Sequence, residues 1–275
     1  MSDRPVSRPR ALTIAGSDSG GGAGIQADLK TFSVLGVYGM TAVTAVTVQN
    51  TTGVSGYEAL RPQIVGDQIR AVASDIGVDA AKTGMLATAA IVDAVADAVA
   101  ELALPNLVVD PVFMSKHGNV LLAADAVDAL RARVVPLATI VTPNLPEASG
   151  LAGFRVETRD DMRRAAEAIL TSGARSVLVK GGHLEDAAGE AADLFVDGTT
   201  EEWLIAARID TPHTHGTGCT LSAAIAAHLA REDPLREAVR AGKAFVTEAI
   251  RRAMPMGNGI GPVDQLWPVP PEGLA

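Results

Sequence analysis

The chain has 275 residues, of which 48% are apolar and only 3% aromatic, and it carries a formal net charge of −9. This length suffices for one α/β domain with a sizeable core, and the acidic charge argues against nucleic acid and anionic membranes as partners. The single cysteine excludes an internal disulfide framework and fits a reducing cytoplasm. No apolar run reaches the roughly 18 residues of a membrane span. We therefore expect a soluble, cytoplasmic protein.

The chain opens with a segment that contains Arg and Pro, residues 1–10, which we expect to be a disordered leader. A buried-type strand over 11–15 follows and ends in a glycine-rich turn, Gly16 to Gly24, before a helix over 25–35. A strand, a glycine-rich turn and a helix are typical of the first unit of a ligand-binding α/β domain.

Strands and helices alternate along the rest of the chain. Further strands are predicted over 39–49, 54–60, 79–84, 107–111, 139–142 and 176–180, and helices over 62–75, 88–102, 125–133, 160–170 and 235–254. Two more strands, 192–196 and 203–209, form a predicted antiparallel hairpin at the sheet edge. The alternation predicts a mostly parallel sheet with helices on both faces, in a single domain over 11–268 that an irregular tail, 269–275, follows.

A second glycine-rich loop, within residues 211–220, begins an Ala-rich helix that runs to Ala230. Gly216, Thr217, Gly218 and Cys219 form its first turn, where unpaired backbone N–H groups and the positive end of the helix dipole favour an anion such as phosphate. Small residues at a helix start also serve close packing, and a lone cysteine such as Cys219 is usually a buried apolar residue. Both interpretations stay open on this segment alone.

Polar residues follow several of the predicted strands, at the sheet edge where ligands of open parallel sheets bind. Asp110, Asn144 and Glu147 offer oxygen ligands suited to Mg²⁺, and Lys180, followed by two glycines, can place a cation beside a polyphosphate. Each of these residues has a purely structural explanation when taken alone. Together with the loop before Ala230 they supply the metal, cation and oxyanion cradle that phosphoryl transfer requires.

Motifs of competing chemistries were compared with the same sequence. Gly22-Ala-Gly24-Ile-Gln-Ala27 approximates a dinucleotide fingerprint, but the second strand ends in Gln-Asn instead of the acid that would bind a ribose. Gly242-Lys243 precedes Ala244, so it is no phosphate-binding P-loop. His213 and His215 lack partners at zinc spacing. His117 and His228 belong to no motif that indicates a functional site. A nucleotide-dependent oxidoreductase and a non-catalytic ligand sensor remain as alternatives.

The order and content of these motifs resemble the hydroxymethylpyrimidine/phosphomethylpyrimidine kinases, the thiamine-pathway members of the ribokinase-like superfamily. The resemblance covers about residues 11 to 264 and rests on the segments 15–30, 46–50, 82–85, 110–112, 142–147, 179–183 and 215–220. It implies a ribokinase-like three-layer sandwich, ATP and Mg²⁺ as cofactors, and a homodimer. It also implies two successive phosphorylations, of the hydroxymethyl group of 4-amino-5-hydroxymethyl-2-methylpyrimidine and then of the resulting monophosphate. Pyridoxal and pyridoxine kinases of the same superfamily are the nearest alternative.

The resemblance also implies roles for single residues. Positions that surround the pyrimidine in the family match Gly16, Asp28, Gln49, Met85 and Val112 here. The family's Mg²⁺ positions match Asp110 and Glu147. Its phosphate-binding positions match Asn144 and Lys180, and a position in its adenosine pocket matches Lys243. The amide of Gln49 can pair with a ring nitrogen and its adjacent amine, and Asp28 could accept a hydrogen bond from that amine or from the hydroxymethyl group.

Cys219 stands where most of the superfamily carries the aspartate that acts as general base, although members of this kinase family use Cys there. We expect the helix N-terminus to lower the thiol pKa from about 8.5 so that Cys219 can serve as base. The second phosphorylation attacks with an oxygen that is already ionised. Cys219 is therefore expected to matter more for the first step.

Overall fold

The computed structural model describes residues 8–114, 118, 121–182, 184 and 189–269. Within these residues the strands form one sheet in the order β3-β2-β1-β4-β5-β6-β7-β8-β9. The six central strands, β2, β1, β4, β5, β6 and β7, are parallel, whereas β3 pairs antiparallel with β2, β8 with β7, and β9 with β8. The strands are β1 (Arg10–Ser17), β2 (Tyr38–Asn50), β3 (Gly53–Ala59), β4 (Ala80–Thr83), β5 (Leu107–Val109), β6 (Ile140–Val141), β7 (Val177–Val179), β8 (Glu190–Val196) and β9 (Glu201–Ala207).

Helices cover both faces of this sheet, as the alternation predicts. They are α1 (Gly24–Val34), α2 (Pro62–Asp75), α3 (Ala89–Glu101), α4 (Ala124–Ala129), α5 (Leu145–Ala152), α6 (Arg159–Thr171), α7 (Thr217–Ala230) and α8 (Leu235–Arg251), and a π-helical and a 3-10 turn extend α4 to residue 137. The α2 helix begins at Pro62, as expected for a residue that lacks the N–H group a first helical turn leaves unpaired. None of the helices among the described residues is long and apolar enough to cross a bilayer.

Two separate apolar clusters show how the layers form. Side chains of a strand point alternately to its two faces, so Leu107 and Val109 pack with α2 to α6 while Val108 between them packs with α1, α7 and α8. All three are at most 1% exposed. The three-layer α/β architecture and the antiparallel hairpin at one edge are therefore confirmed.

Several boundaries differ from the sequence-based expectation. The sheet begins at Arg10, one residue before the predicted strand, because the Arg10 guanidinium and amide both bond the carboxylate of Asp79. The rest of the proposed leader, residues 1–7, and of the tail, residues 270–275, lies outside the described residues. The last helix ends at Arg251 and not near Met254.

The α5 helix was not predicted. It has only eight residues, with a proline in its first turn and Gly150 near its end, which is too short for a helical apolar pattern. A capping box formed by Asn144 and Glu147 fixes its start. This local hydrogen bonding, and not periodicity, defines the element.

Candidate active site

The carboxyl ends of β5, β6 and β7 bring together three predicted site residues. The ammonium of Lys180 lies 2.9 Å from Asp110 Oδ1 and 3.8 Å from Glu147 Oε2. All three side chains are at most 15% exposed. The lysine therefore bridges the two carboxylates that the sequence assigns to a metal, as expected where parallel strands end side by side.

The capping box of α5 sets the position of Glu147. Its Oε2 accepts a 2.8 Å hydrogen bond from the amide of Asn144, whose Oδ1 accepts a 2.9 Å bond from the Glu147 amide. Burial raises the pKa of Glu147 to about 7, helped by the charge of Asp110 and opposed by Lys180. Glu147 thus titrates near neutral pH, and Asn144 acts on its orientation from within the same turn.

Asp110 links this group to the start of α7. Its Oδ1 accepts one long hydrogen bond of 3.4 Å from Thr142 Oγ1, and its Oδ2 accepts another of 3.4 Å from Ser222 Oγ. A Cβ atom placed on Gly218 would lie 3.3 Å from Lys180 Nζ and 3.5 Å from Asp110 Oδ2. The glycine-rich loop therefore lies directly against the charged group.

The start of α7 is where the sequence predicts an anion cradle. Gly216 has a φ of +81° and precedes the first helical residue, and no side chain of the described residues caps the helix. A Cβ on Gly216 would lie 1.8 Å from the carbonyl oxygen of Gly22, so only glycine fits there. The amide of Thr217 donates to the carbonyl of Thr214 at 3.4 Å and that of Thr220 to the carbonyl of Gly216 at 2.9 Å, which leaves the amides of Gly218 and Cys219 to face an anion beside Lys180.

The expected lowering of the Cys219 pKa is wrong. Burial raises the pKa of this thiol to about 11, and the nearby carboxylates of Asp28 and Asp110 act in the same direction. The ammonium of Lys82 opposes the shift without cancelling it. The loss of hydration at this half-buried residue, together with the two carboxylates, outweighs the helix N-terminus.

A buried ion pair lies beneath Cys219. Lys82 Nζ is 2.9 Å from Asp28 Oδ2, which also accepts a 2.6 Å hydrogen bond from Thr13, and both charged side chains are completely buried. Burial alone would lower the pKa of Lys82, but the carboxylates of Asp28 and Asp110 raise it, so the ammonium stays charged. Asp28 is therefore the ion-pair partner of Lys82. This pairing argues against the direct contact with a pyrimidine amine that the sequence suggested.

The other residues predicted around the pyrimidine lie at the ends of β1, β2, β4 and β5. A Cβ on Gly16 would lie 3.1 Å from the sulfur of Met85, so these two residues are in contact. Gln49 is half-buried and places its Nε2 3.4 Å from Nε2 of His215. Val112 is half-buried and donates its amide to the Asp110 carbonyl. These four residues border the same sheet edge as the cradle.

Lys243 lies on the side of β7 and β8. Its Nζ is 2.7 Å from Asp193 Oδ2, and Asp193 Oδ1 accepts a 3.0 Å bond from the amide of Gly181, next to Lys180. The contact of Lys243 with an adenosine stays a prediction. His183 and His117 lie outside the described residues, and His228 on α7 pairs with Asp233 at 2.7 Å.

Asp18 and His215 were missed as site residues. Both are buried, and His215 Nε2 lies 2.8 Å from Asp18 Oδ2. His215 has no partner at zinc spacing, and no local sequence pattern connects it with an aspartate so far away in the chain. Only the position of each residue could have pointed to a role in the site, since both lie in glycine-rich loops at strand ends.

The donor set fits a Mg²⁺ ion. No group of three or more His, Cys, Asp or Glu side chains converges among the described residues. Asp110 and Glu147 nevertheless provide two carboxylates at one place, and Mg²⁺ typically binds through one or two carboxylates, substrate phosphates and water. Two hard oxygen donors beside an anion cradle are therefore sufficient.

Comparisons with known proteins identify the family of this chain. The model of the family "Phosphomethylpyrimidine kinase" matches residues 18–264. A hydroxymethylpyrimidine/phosphomethylpyrimidine kinase of Streptomyces coelicolor is 54% identical over 263 residues, 96% of either chain.

Solved structures show the same fold. An ADP complex of Bacillus subtilis pyridoxal kinase is 44% identical, with a TM-score of 0.88 over 94% of this chain and 98% of that one. A phosphomethylpyrimidine kinase of Clostridium difficile 630 is also 44% identical, with a TM-score of 0.79 over 88% of this chain and 100% of that one. The expected ribokinase-like fold is confirmed, and the chain belongs to the phosphomethylpyrimidine kinase family.

Proposed function

We propose that this enzyme transfers the γ-phosphoryl group of ATP to the hydroxymethyl group of 4-amino-5-hydroxymethyl-2-methylpyrimidine, and then a second phosphoryl group to the monophosphate. Membership of the kinase family supports this reaction over that of a dinucleotide-dependent oxidoreductase or a non-catalytic sensor. The observation that carries the proposal is the contact of the Gly216–Cys219 loop with Lys180 and Asp110. Amide donors and a fixed cation then face one anion from two sides.

ATP binds, in this proposal, with its phosphates between Lys180 and the first turn of α7. Lys180 is held by Asp110, so its charge is already oriented before the nucleotide arrives. Asn144 fixes the side chain of Glu147 by hydrogen bonding. Glu147 and Asp110 would together hold Mg²⁺, which neutralises phosphate charge when it is bound. Lys243 is assigned to the adenosine side. It pairs with Asp193, which in turn bonds the amide of Gly181 in the loop after β7.

The acceptor lies against Gly16, Gln49, Met85 and Val112. Gln49 is the polar member of this set and can read a ring nitrogen together with the neighbouring amine. The hydroxymethyl group must lose a proton during the first transfer, and Cys219 lies in the first turn of the cradle that holds the transferred group. The second transfer starts from an ionised phosphate oxygen and needs no such base.

Mass spectrometry of the products tests the assignment. The enzyme is incubated with ATP, Mg²⁺ and an equimolar mixture of the aminopyrimidine alcohol and pyridoxal. Formation of the pyrimidine monophosphate followed by the diphosphate is the expected result. Pyridoxal is included because a pyridoxal kinase is 44% identical to this chain, and pyridoxal phosphate as the sole product would contradict the proposed substrate.

The same proposal includes a homodimer and a cytoplasmic location. Val46 and Val48 lie two residues apart on the same face of β2. Their side chains are 49% and 65% exposed, although both are apolar. A second copy of the chain would cover them. The cytoplasm is supported by the use of ATP and by an unpaired cysteine in the site.

A further inference from the structure

Asp18 organises the first glycine-rich loop, residues 18–24. Its two carboxylate oxygens accept hydrogen bonds from the amides of Gly20, Gly22 and Ala23, at 2.8 to 3.0 Å, and from His215. Burial alone would raise the pKa of Asp18, but the bonds from His215 and the loop amides lower it. The carboxylate is therefore an ionised acceptor that draws the loop around itself.

His215 is fixed just before the phosphate cradle. Its amide donates to the carbonyl of Gly261 at 3.1 Å, and its carbonyl accepts from the amide of Val263 at 3.0 Å. The ring cannot turn away freely because it is only 7% exposed and packs against Gly22, where an added Cβ would lie 2.5 Å from the ring. The side chain thus has one position, with Nε2 towards Asp18.

The two loops touch at further points around this pair. The Cβ that Gly216 lacks would lie 1.8 Å from the carbonyl oxygen of Gly22. Gln265 Nε2 donates to that same carbonyl at 3.1 Å and contacts Thr220 Oγ1 in α7 at 3.2 Å. Gln49 Nε2 lies 3.4 Å from the same His215 nitrogen that faces Asp18. The pair therefore adjoins Gln49, which is assigned to the pyrimidine, as well as the loop that begins the phosphate cradle.

We infer that Asp18 and His215 are positioning residues that hold the first glycine-rich loop, which is bonded to Gln49 through Ser19, in register with the phosphate cradle. The inference rests on the proposed function, because it assigns Gln49 to the acceptor and the start of α7 to the phosphoryl group. In-line transfer requires the hydroxymethyl oxygen to lie close to the phosphorus and aligned with it, and a shift of about 1 Å between the loops can cost about 100-fold in rate. Binding of the pyrimidine alone, or of the nucleotide alone, does not require this alignment of the two loops.

The test compares His215→Leu, which loses the donor, with His215→Gln, whose amide can still donate to Asp18. We expect His215→Leu to lower kcat by about 10- to 100-fold while the separate Kd values for AMP-PCP and for the pyrimidine alcohol change less than about 3-fold. His215→Gln should recover most of the lost kcat. The control is His228→Leu, which breaks a similar histidine–aspartate contact at the far end of α7.

Two results would overturn the inference. One is a kcat for His215→Leu that falls no further than that of His228→Leu at equal loss of Tm, since the pair would then be a structural contact only. The other is a loss confined to the Kd of the pyrimidine alcohol, which would make His215 a binding residue. Wild-type enzyme in the same assay tests the proposed substrate separately, and if it phosphorylates only pyridoxal, the comparison is made with pyridoxal.

Discussion

Lys82 and Asp28 form an ion pair of 2.9 Å that has no exposure to solvent. Moving two charges out of water costs several kcal/mol for each ion, and the pair persists only because Thr13 and the salt bridge satisfy the carboxylate. The pair joins β4 to α1 beside Thr13 of β1, and it is close enough to Cys219 in the first turn of α7 to act on the pKa of that thiol. Removal of one partner would leave the other charge buried without compensation.

Lys82→Met should therefore destabilise the protein by about 3–5 kcal/mol, because it leaves the Asp28 carboxylate buried and unpaired. Urea unfolding of the variant measures this loss. The control is Arg10→Met, which breaks the partly exposed Arg10–Asp79 pair and should cost much less, because water screens that pair. The double variant Lys82→Met/Asp28→Leu should recover part of the stability, and no recovery would show that the loss came from packing.

Gly216→Ala should abolish most of the activity. An alanine there must adopt a φ of +81° and place its Cβ 1.8 Å from the Gly22 carbonyl, so the cradle has to move. We expect a fall in kcat of about 100-fold or more. The control is Gly198→Ala, which has a φ of +80° but nothing within 4 Å and should keep full activity at a cost of about 1–2 kcal/mol. Equal effects of the two variants on kcat would contradict the proposed cradle.

The sequence predicted the sheet, its covering helices and the convergence of Asp110, Glu147 and Lys180, because these follow from periodicity and from the rule that parallel strands end at one edge. It missed α5, whose start depends on two side-chain hydrogen bonds in one turn. It also misplaced Asp28, since the partner that buries it, Lys82, is 54 residues away. The pKa of Cys219 could not be predicted either, because it depends on lost hydration and on the charges of residues distant in sequence, such as Asp28 and Asp110.

The unfolding free energy should fall as pH rises from about 4.5 to about 7, through Glu147. Its pKa in the folded protein is about 7 against an ordinary value of 4.5, so the folded state binds more protons than the unfolded state in this window. The stabilisation is fully present below the lower value and is lost as pH passes the higher one. Glu147→Gln should flatten this part of the pH profile in urea unfolding, whereas Glu167→Gln, at an exposed position of α6, should keep it.

Val48→Lys should shift the protein from dimer to monomer. The Val48 side chain is 65% exposed, and a charge in a covered interface without a partner is costly. Sedimentation velocity measures the change. Ile205→Lys is the matched control because Ile205 is 54% exposed on β9, at the opposite edge of the sheet, and should leave the oligomeric state unchanged. A wild-type protein that sediments as a monomer would contradict the proposed dimer.

Cys219→Ala should slow the first phosphorylation more than the second. A base is needed only while the hydroxymethyl group loses its proton, so we expect losses of about 10- to 100-fold for the first step and less than about 3-fold for the second. The thiol pKa of about 11 adds a second readout, because the thiolate fraction and hence the wild-type first-step rate should rise tenfold per pH unit below that value. Quenched-flow sampling with mass spectrometry follows both products, and Cys219→Ser, which has a similar shape but a much less acidic group, is the control. If the alanine variant slowed both steps equally, or kept the wild-type rise with pH, Cys219 would not be the base.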